Sequence, residues 1–125
     1  MKICVFGAGA IGGYMGAKLA QAGAEVSLVD SHAERLAAVQ RIWGELKLPA
    51  RFVHHTDWTR LPFADDSFDL AWNWAALWYL TENRSQGVDE PSSLLRELVR
   101  VSKRVIFVAM PNRVQLGYLA RKYLL

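Results

Sequence analysis

The string Gly7-Ala-Gly-Ala-Ile-Gly12 has the G-x-G-x-x-G spacing, and a carboxylate, Asp30, follows Gly12 after eighteen residues. Together these types can hold a dinucleotide. Gly7 permits a tight turn, Gly9 lets a pyrophosphate approach the backbone, and Gly12 lets the following helix pack against its strand. The start of that helix offers free N–H groups and a partial positive charge to phosphate. Asp30 would accept hydrogen bonds from ribose hydroxyls and repel a 2′-phosphate, which favours NAD over NADP. A plainer reading keeps the glycines as a tight turn and makes Asp30 the cap of a helix beginning near His32. The context favours the nucleotide site, because a buried strand precedes the glycines and a helix opens out of them.

Other polar residues carry weaker chemistry. Asn73 falls at the carboxyl end of a predicted strand, where ligands of open α/β sheets bind, and could orient a ligand or hydrogen-bond a loop. His54-His55-x-Asp57 contains metal-ligating types, but adjacent strand residues point to opposite faces and no third ligand lies at useful spacing, so unmetallated strand-end histidines are the better reading. Trp72, Trp74 and Trp78 could wall an adenine or an apolar substrate, with core packing favoured. Tyr14 is read as a surface or loop-packing residue. The single cysteine, Cys4, lies in an apolar run and reads as a buried hydrophobe in a reducing, cytoplasmic setting.

Positioning these residues requires strands alternating with helices. Lys2 to Gly7 is a continuous apolar run ended by glycine, as in a strand buried on both faces. Ile11, Met15 and Leu19 recur at a spacing of four beside Gly12 and Gly16, predicting a helix stopped by Gly23. Glu25 to Asp30 is a second strand, followed by a helical stripe of Leu36, Val39, Ile42, Trp43 and Leu46 ended by Pro49. Arg51 to His55 is a third strand. The connection through Leu61-Pro62-Phe63 and Ala64-Asp65-Asp66-Ser67 is too short for a helix with two turns. Phe68 to Trp74 alternates Phe68, Leu70, Trp72 and Trp74 against Asp69, Ala71 and Asn73, as a fourth strand does. A polar surface loop, Thr81 to Glu90, precedes a helix from Ser92 to Val101 opened by Pro91. Arg104 to Met110 reads as a fifth, fully buried strand, and a last helix runs from about Arg113 to Leu125 with Leu116, Leu119, Ala120 and Tyr123 as its apolar stripe. The expected fold is α/β, a minimal five-stranded doubly wound parallel sheet of order 3-2-1-4-5 between helical layers, Rossmann-like.

At 125 residues and 52% hydrophobic, the chain suits one domain with one core. Disorder is excluded by the ordinary charged fraction of 22%. The apolar stretch Ile3 to Ala17 is interrupted by five glycines, so neither a membrane span nor a signal peptide explains it as well as a glycine loop. Fifteen basic against twelve acidic residues give +3 with no run of five like charges, so no nucleic-acid or membrane partner is expected. Arg96, Arg100, Lys103 and Arg104 are placed on a solvated helix face.

Residues Met1 to about Leu28, MKICVFGAGAIGGYMGAKLAQAGAEVSL, resemble the amino terminus of ketopantoate reductases, two-domain dehydrogenases that bind NADPH on a Rossmann domain. Beyond Asp30 nothing further of that family is found, and Asp30 itself departs from what a reader of NADP would prefer. From about Val29 to Asn112 the chain is similar to class I S-adenosylmethionine-dependent methyltransferases, through Asp57 before Leu61-Pro-Phe63, Asp66-Ser-Phe-Asp-Leu70, Leu94-Leu-Arg-Glu-Leu-Val-Arg-Val101 and a strand ending in Pro111-Asn112. That resemblance implies that Asp30 holds the adenosine ribose and Asp57 contacts the adenine amine. Val5 stands where the family has an acid, and Ser102-Lys-Arg104 replaces its usual Lys-Pro-Gly-Gly turn.

Two resemblances that meet near Asp30 imply a recombined or designed chimera, because both families end the second strand in an acid and a join there preserves the local geometry. The expectation is a cytoplasmic Rossmann-like scaffold, monomer or weak homodimer. Its crevice of Gly7, Gly9, Gly12, Asp30, Asp57 and Asn73 would take an adenine-containing molecule, NAD or S-adenosylmethionine, without evolved catalysis. A methyltransferase, or the cofactor domain of an NAD-dependent oxidoreductase, is the alternative.

Overall fold

A computed structural model describes residues 1–74 and 90–109. The elements run β1 (Lys2–Phe6), α1 (Ala10–Gln21), β2 (Glu25–Asp30), α2 (Ala33–Glu45), β3 (Ala50–His54), β4 (Phe68–Trp74), α3 (Glu90–Val101) and β5 (Ser102–Ala109). All five strands are parallel, in the order β3-β2-β1-β4-β5. This is the predicted doubly wound, Rossmann-like sheet. The connection from His55 to Ser67 holds no helix, as its length implies. Most of the predicted polar loop (81–89), Trp78, Met110 to Asn112 and the predicted final helix lie outside the described residues.

Successive residues of a strand face opposite ways, so the central strand β1 feeds two cores. Ile3 and Val5 pack with Val26, Leu28, Ala20, Leu36 and Trp43, beneath α1 and α2. Cys4 and Phe6 pack with Val29, Leu61, Ala71, Leu94 and Leu98, beneath α3 and the loop that follows β3. Cys4 is fully buried, and that burial pushes its thiol up to about 12, which leaves it unreactive.

Four expectations change. In α1 the buried face is Gly12, Gly13, Gly16 and Ala20, while Ile11 is exposed and Met15 and Leu19 half-buried. The small residues leave room for a large one: a Cβ at Gly16 would lie 3.0 Å from the ring of Trp43. The helix therefore packs through what its residues lack. In α2 the helix ends at Glu45, ahead of Pro49. Lys47 turns left-handed (φ 53°) and the Leu48 N–H closes onto the Trp43 carbonyl at 2.9 Å, while Ile42 and Leu46 stay exposed.

In β4 a register irregularity against β5 between Phe68 and Leu70 breaks the alternation. Phe68 joins Ala71 in the α3-side core, and Leu70 and Trp72 face the other way. Finally, β5 is not fully buried. It is the last strand of the sheet, with Val105, Ile106 and Phe107 exposed among the described residues. Phe107 stacks on Trp72 at 4.0 Å between ring centroids, and Trp74 extends the stack while itself 43% exposed, so Trp72 and Trp74 are only partly core.

Candidate nucleotide-binding crevice

At the carboxyl edge of the sheet the chain leaves β1 through Gly7, whose φ of +100° suits glycine. The Gly7 N–H donates to the Val29 carbonyl at 2.8 Å, anchoring the turn to β2. Gly12 then passes so close beneath the turn that a Cβ there would lie 1.8 Å from the Gly7 carbonyl oxygen. Gly9 is the opposite case. It precedes α1 in an extended conformation with no side-chain cap, and a Cβ there would meet nothing within 4 Å. The turn is thus closed at Gly12 and open above Gly9, where the first N–H groups of α1 have no intrahelical partners.

Asp30 lies under this turn and is only 3% exposed. Its Oδ2 accepts the Ala8 N–H at 2.7 Å and its Oδ1 accepts the His32 N–H at 2.7 Å. The guanidinium of Arg35 stands 3.3 Å from Oδ2 and the His32 ring 3.3 Å from Oδ1. Its backbone carbonyl accepts the His55 N–H at 3.0 Å. One residue therefore ties the glycine turn, the entry to α2 and the end of β3. Asp30 is not the cap of α2: that position is His32, which makes no side-chain cap bond. A carboxylate has about four acceptor sites, so with Ala8, His32 and Arg35 served roughly one remains, on Oδ1.

Asp57 follows two residues after the His55 tie. Its Oδ1 accepts both the Thr59 N–H at 2.9 Å and the Thr59 hydroxyl at 2.6 Å. Those two bonds hold its carboxyl below the usual carboxylate range. The side chain is exposed. Trp58 packs edge-on against Phe6 at 4.9 Å, which seats the Asp57 loop beside β1. The two histidines are held by carbonyls: His54 Nε2 donates to Ser31 at 2.9 Å and His55 Nε2 to Arg60 at 2.7 Å.

Asn73 is the register partner of Phe6, next to the glycine turn. It is fully buried, and neither Nδ2 nor Oδ1 has a hydrogen-bond partner among the described residues. The structure thus brings Gly7, Gly9, Gly12, Asp30 and Asn73 to one edge of the sheet, with the Asp57 loop beside them. Across the molecule, an open cavity of about 740 Å³ lies between the amino ends of the strands, lined by Lys2, Glu25, Ala50 and Phe68 among others. Ligands of open α/β sheets bind at the other edge.

Sequence reasoning missed two groups. Arg35 reaches Asp30 from the first turn of α2, a spacing of five residues that carries no obvious pattern. Glu97 and Arg100 form a clasp under the Leu61 loop. Glu97 accepts the Leu61 N–H at 2.7 Å and receives Arg100 through Nε at 2.7 Å and Nη2 at 2.6 Å. Arg100 also donates to the Phe63 and Leu61 carbonyls and to Asp65. Arg100 is therefore not on a solvated face; its side chain is 16% exposed. The readable signal was Glu97 itself, an acid at helical spacing among Leu94, Leu98 and Val101.

A parallel sheet of this order, with a glycine turn after its central strand and an acid ending the next, defines a Rossmann-like domain. The family described as ketopantoate reductase PanE/ApbA matches residues 3–71, more than half of the chain, and the chain belongs to that family. The match runs from β1 into β4, well past Leu28, where the sequence resemblance to ketopantoate reductases was expected to stop.

Several solved structures of similar fold are described as methyltransferases, two of them as S-adenosylmethionine-dependent. One from Clostridium acetobutylicum superposes on 94% of this chain with a TM-score of 0.74 at 15% identity. The YcgJ protein from Bacillus subtilis matches 82% of it, with a TM-score of 0.65 at 26% identity. A putative Zn-dependent alcohol dehydrogenase from Rhodobacter sphaeroides matches 86%, with a TM-score of 0.67 at 15% identity. The chain spans 46%, 39% and 39% of these three, respectively. A comparison with curated proteins finds no match. Among the described residues no helix is long and apolar enough to cross a membrane.

Proposed function

We propose that this chain is an adenine-nucleotide-binding module. Its diphosphate would lie over Gly9 at the start of α1, its adenosine ribose would bond to the remaining acceptor of Asp30, and its adenine would lie beside Asp57. The carrying observation is the contrast within the glycine turn, closed by Gly12 against the Gly7 carbonyl and open above Gly9. Glycine is required at the first place by packing; at the second a Cβ would meet nothing of the chain within 4 Å, which leaves room for a diphosphate. Both cofactors considered, NAD and S-adenosylmethionine, share the adenosine that Asp30 and Asp57 would take.

The reading extends to origin and role: a recombined scaffold acting in the cytoplasm as a monomer or weak homodimer without an evolved catalytic step. Its support is that resemblances to two enzyme families meet in one sheet, while Asp30 serves the backbone with most of its acceptors. The second reading, an S-adenosylmethionine-dependent methyltransferase, rests on the superposition over 94% of the chain with the Clostridium protein.

Titration calorimetry with NAD, NADP, S-adenosylmethionine and S-adenosylhomocysteine tests both. Binding of at least one that weakens in Asp30→Ala is expected. No heat with any of the four removes the binding claim. S-adenosylmethionine bound in preference to NAD, and weakened by Asp57→Ala, would decide for the methyltransferase.

A further inference from the structure

We infer that two copies of this chain pair along β5, antiparallel, about a two-fold axis that passes through Ile106. The contact gives the homodimer named above a surface, rests on that part of the reading alone and leaves the crevice untouched, so either can fail by itself.

β5 is the outer strand of the sheet, and among the described residues only β4 pairs with it. One row of its backbone N–H and C=O groups is therefore open to another strand, the condition for edge-to-edge pairing. Proteins usually guard such an edge with proline, a bulge or charges along it. Here the guards stand at one end only. The register irregularity against β4 falls between Ser102 and Val105, where Lys103 and Arg104 lie. From Val105 to Ala109 the strand is regular, uncharged and free of proline. Val105, Ile106 and Phe107 are 54%, 37% and 38% exposed, and because successive residues face opposite ways, the edge is apolar and open on both faces. The Val105 carbonyl already accepts the Ser102 hydroxyl at 2.7 Å, and its second lone pair remains for a partner.

Charge and register identify the partner as a second copy. If identical strands ran parallel, Lys103 and Arg104 would face their own copies, and like charges directly opposite destabilise a pair. Antiparallel pairing about Ile106 instead sets Lys103 against Ala109, Arg104 against Val108, Val105 against Phe107 and Ile106 against itself. The three exposed apolar residues then cover one another, and no charge meets a charge. A one-residue slip would put facing side chains on opposite faces of the sheet, and a centre at Val105 would set Arg104 against Ile106 and Lys103 against Phe107. The contact is self-complementary, as a two-fold interface must be. It also carries the stack of Trp72 and Phe107 across the axis, onto the Val105 side chain of the second copy. A contact confined to one strand is small, so the dimer is weak.

Sedimentation equilibrium of the full chain over a concentration series, without nucleotide, tests the contact. A monomer–dimer equilibrium is expected, and Ile106→Lys, which sets two ammonium groups on the axis, should weaken it by about tenfold or more. A chain that stays monomeric throughout overturns the inference, which is the result if residues 110–125 hold this edge instead. A dimer that Ile106→Lys leaves intact overturns it as well. Mild oxidation reads the register separately. Residues facing each other on antiparallel strands have Cα atoms about 5 Å apart, within disulfide reach. Cys4 is buried and its thiol unreactive, so it takes no part. Ile106→Cys should crosslink into a dimer at least about tenfold faster than Val105→Cys or Phe107→Cys, since only at 106 does a cysteine meet its own copy. Equal rates, or faster linkage at 105 or 107, overturn the pairing even if Ile106→Lys does not fold. Neither readout involves a nucleotide, so a crevice that binds nothing leaves the dimer standing.

Discussion

At the carboxyl edge of the sheet Asp30 is held mainly by backbone N–H groups, whereas on the α3 side Glu97 is held by the forked guanidinium of Arg100. Both acids are buried and both fasten a loop. Glu97 meets a full opposite charge at bidentate geometry, and Arg100 completes the arrangement with carbonyls and Asp65, so the clasp is closed on itself. Asp30 meets Arg35 more loosely, at 3.3 Å, and lies beside the open space over Gly9. The difference separates two uses of a buried carboxylate: one closes a charged clasp on itself, and the other orders a turn beside open space.

The most severe way to break the crevice is steric. Gly12→Ala forces a methyl group onto the Gly7 carbonyl, and the turn must open or α1 must shift. A loss of at least about 3 kcal/mol is expected in urea unfolding. A variant as stable as the parent would show that the close approach does not exist.

Breaking the clasp should come next. Glu97→Ala leaves Arg100 without its main partner and the Leu61 N–H without an acceptor, at a cost of about 3 kcal/mol. Nucleotide affinity at temperatures where the variant is folded should be unchanged, because the clasp is complete without a ligand. Loss of affinity with no loss of stability would reverse the assignment of the two acids.

Asp30→Asn tests the other side. The amide keeps one acceptor oxygen for Ala8 or His32 but sets an NH2 against the other backbone donor, costing about 1–2 kcal/mol. Here affinity should fall as well, by about tenfold. The two acids should therefore differ in kind: stability alone for Glu97, stability and binding for Asp30.

The pH dependence sharpens the same contrast. Hydrogen bonds from Arg100 and Leu61 hold the Glu97 carboxyl below its ordinary range. The unfolded chain thus takes up this proton at a higher pH than the folded one. The contribution of Glu97 is fully present above its unfolded value and is lost as pH falls through the folded value, with a slope of at most about 1.4 kcal/mol per pH unit. Asp57 and Asp69 shift in the same direction, so the slope belonging to Glu97 is isolated by comparison with Glu97→Gln. A Glu97→Gln chain with the same acid slope as the parent would remove this account.

How much of this could be read in the sequence depends on whether the deciding physics is local. The ranges of β2 and β4 and the glycine turn follow from apolar runs and spacing, which neighbouring residues set. The packing face of α1 could not be read that way. A stripe of Ile11, Met15 and Leu19 looks like a core face until Trp43, more than twenty residues on, is known to fill the hollow over Gly16. The burial of β5 fails for a related reason: a continuous apolar run signals two covered faces, but strand order puts this one at the edge of the sheet. For the candidate crevice, spacing alone pointed to Gly7, Gly9, Gly12 and Asp30, which the structure brings to one edge of the sheet. That most of the acceptors of Asp30 serve the protein itself depends on where Ala8 and Arg35 come to lie in three dimensions.

The smallest expected effect on stability is the most telling for function. Gly9→Ala adds the same methyl group as Gly12→Ala, three residues earlier in the same turn. At Gly9 the backbone is extended, with φ of −64° and ψ of 179°, which alanine adopts without strain, and the methyl meets nothing within 4 Å. Stability should change by less than about 1 kcal/mol, the scale of a helix-cap substitution. If the open space receives a diphosphate, however, the methyl stands where the phosphate must approach the backbone, and affinity for NAD should fall by about tenfold or more at unchanged Tm. A Gly9→Ala chain that binds as tightly as the parent would mean that the opening above Gly9 is only surface, and both glycines would then be explained by the turn alone.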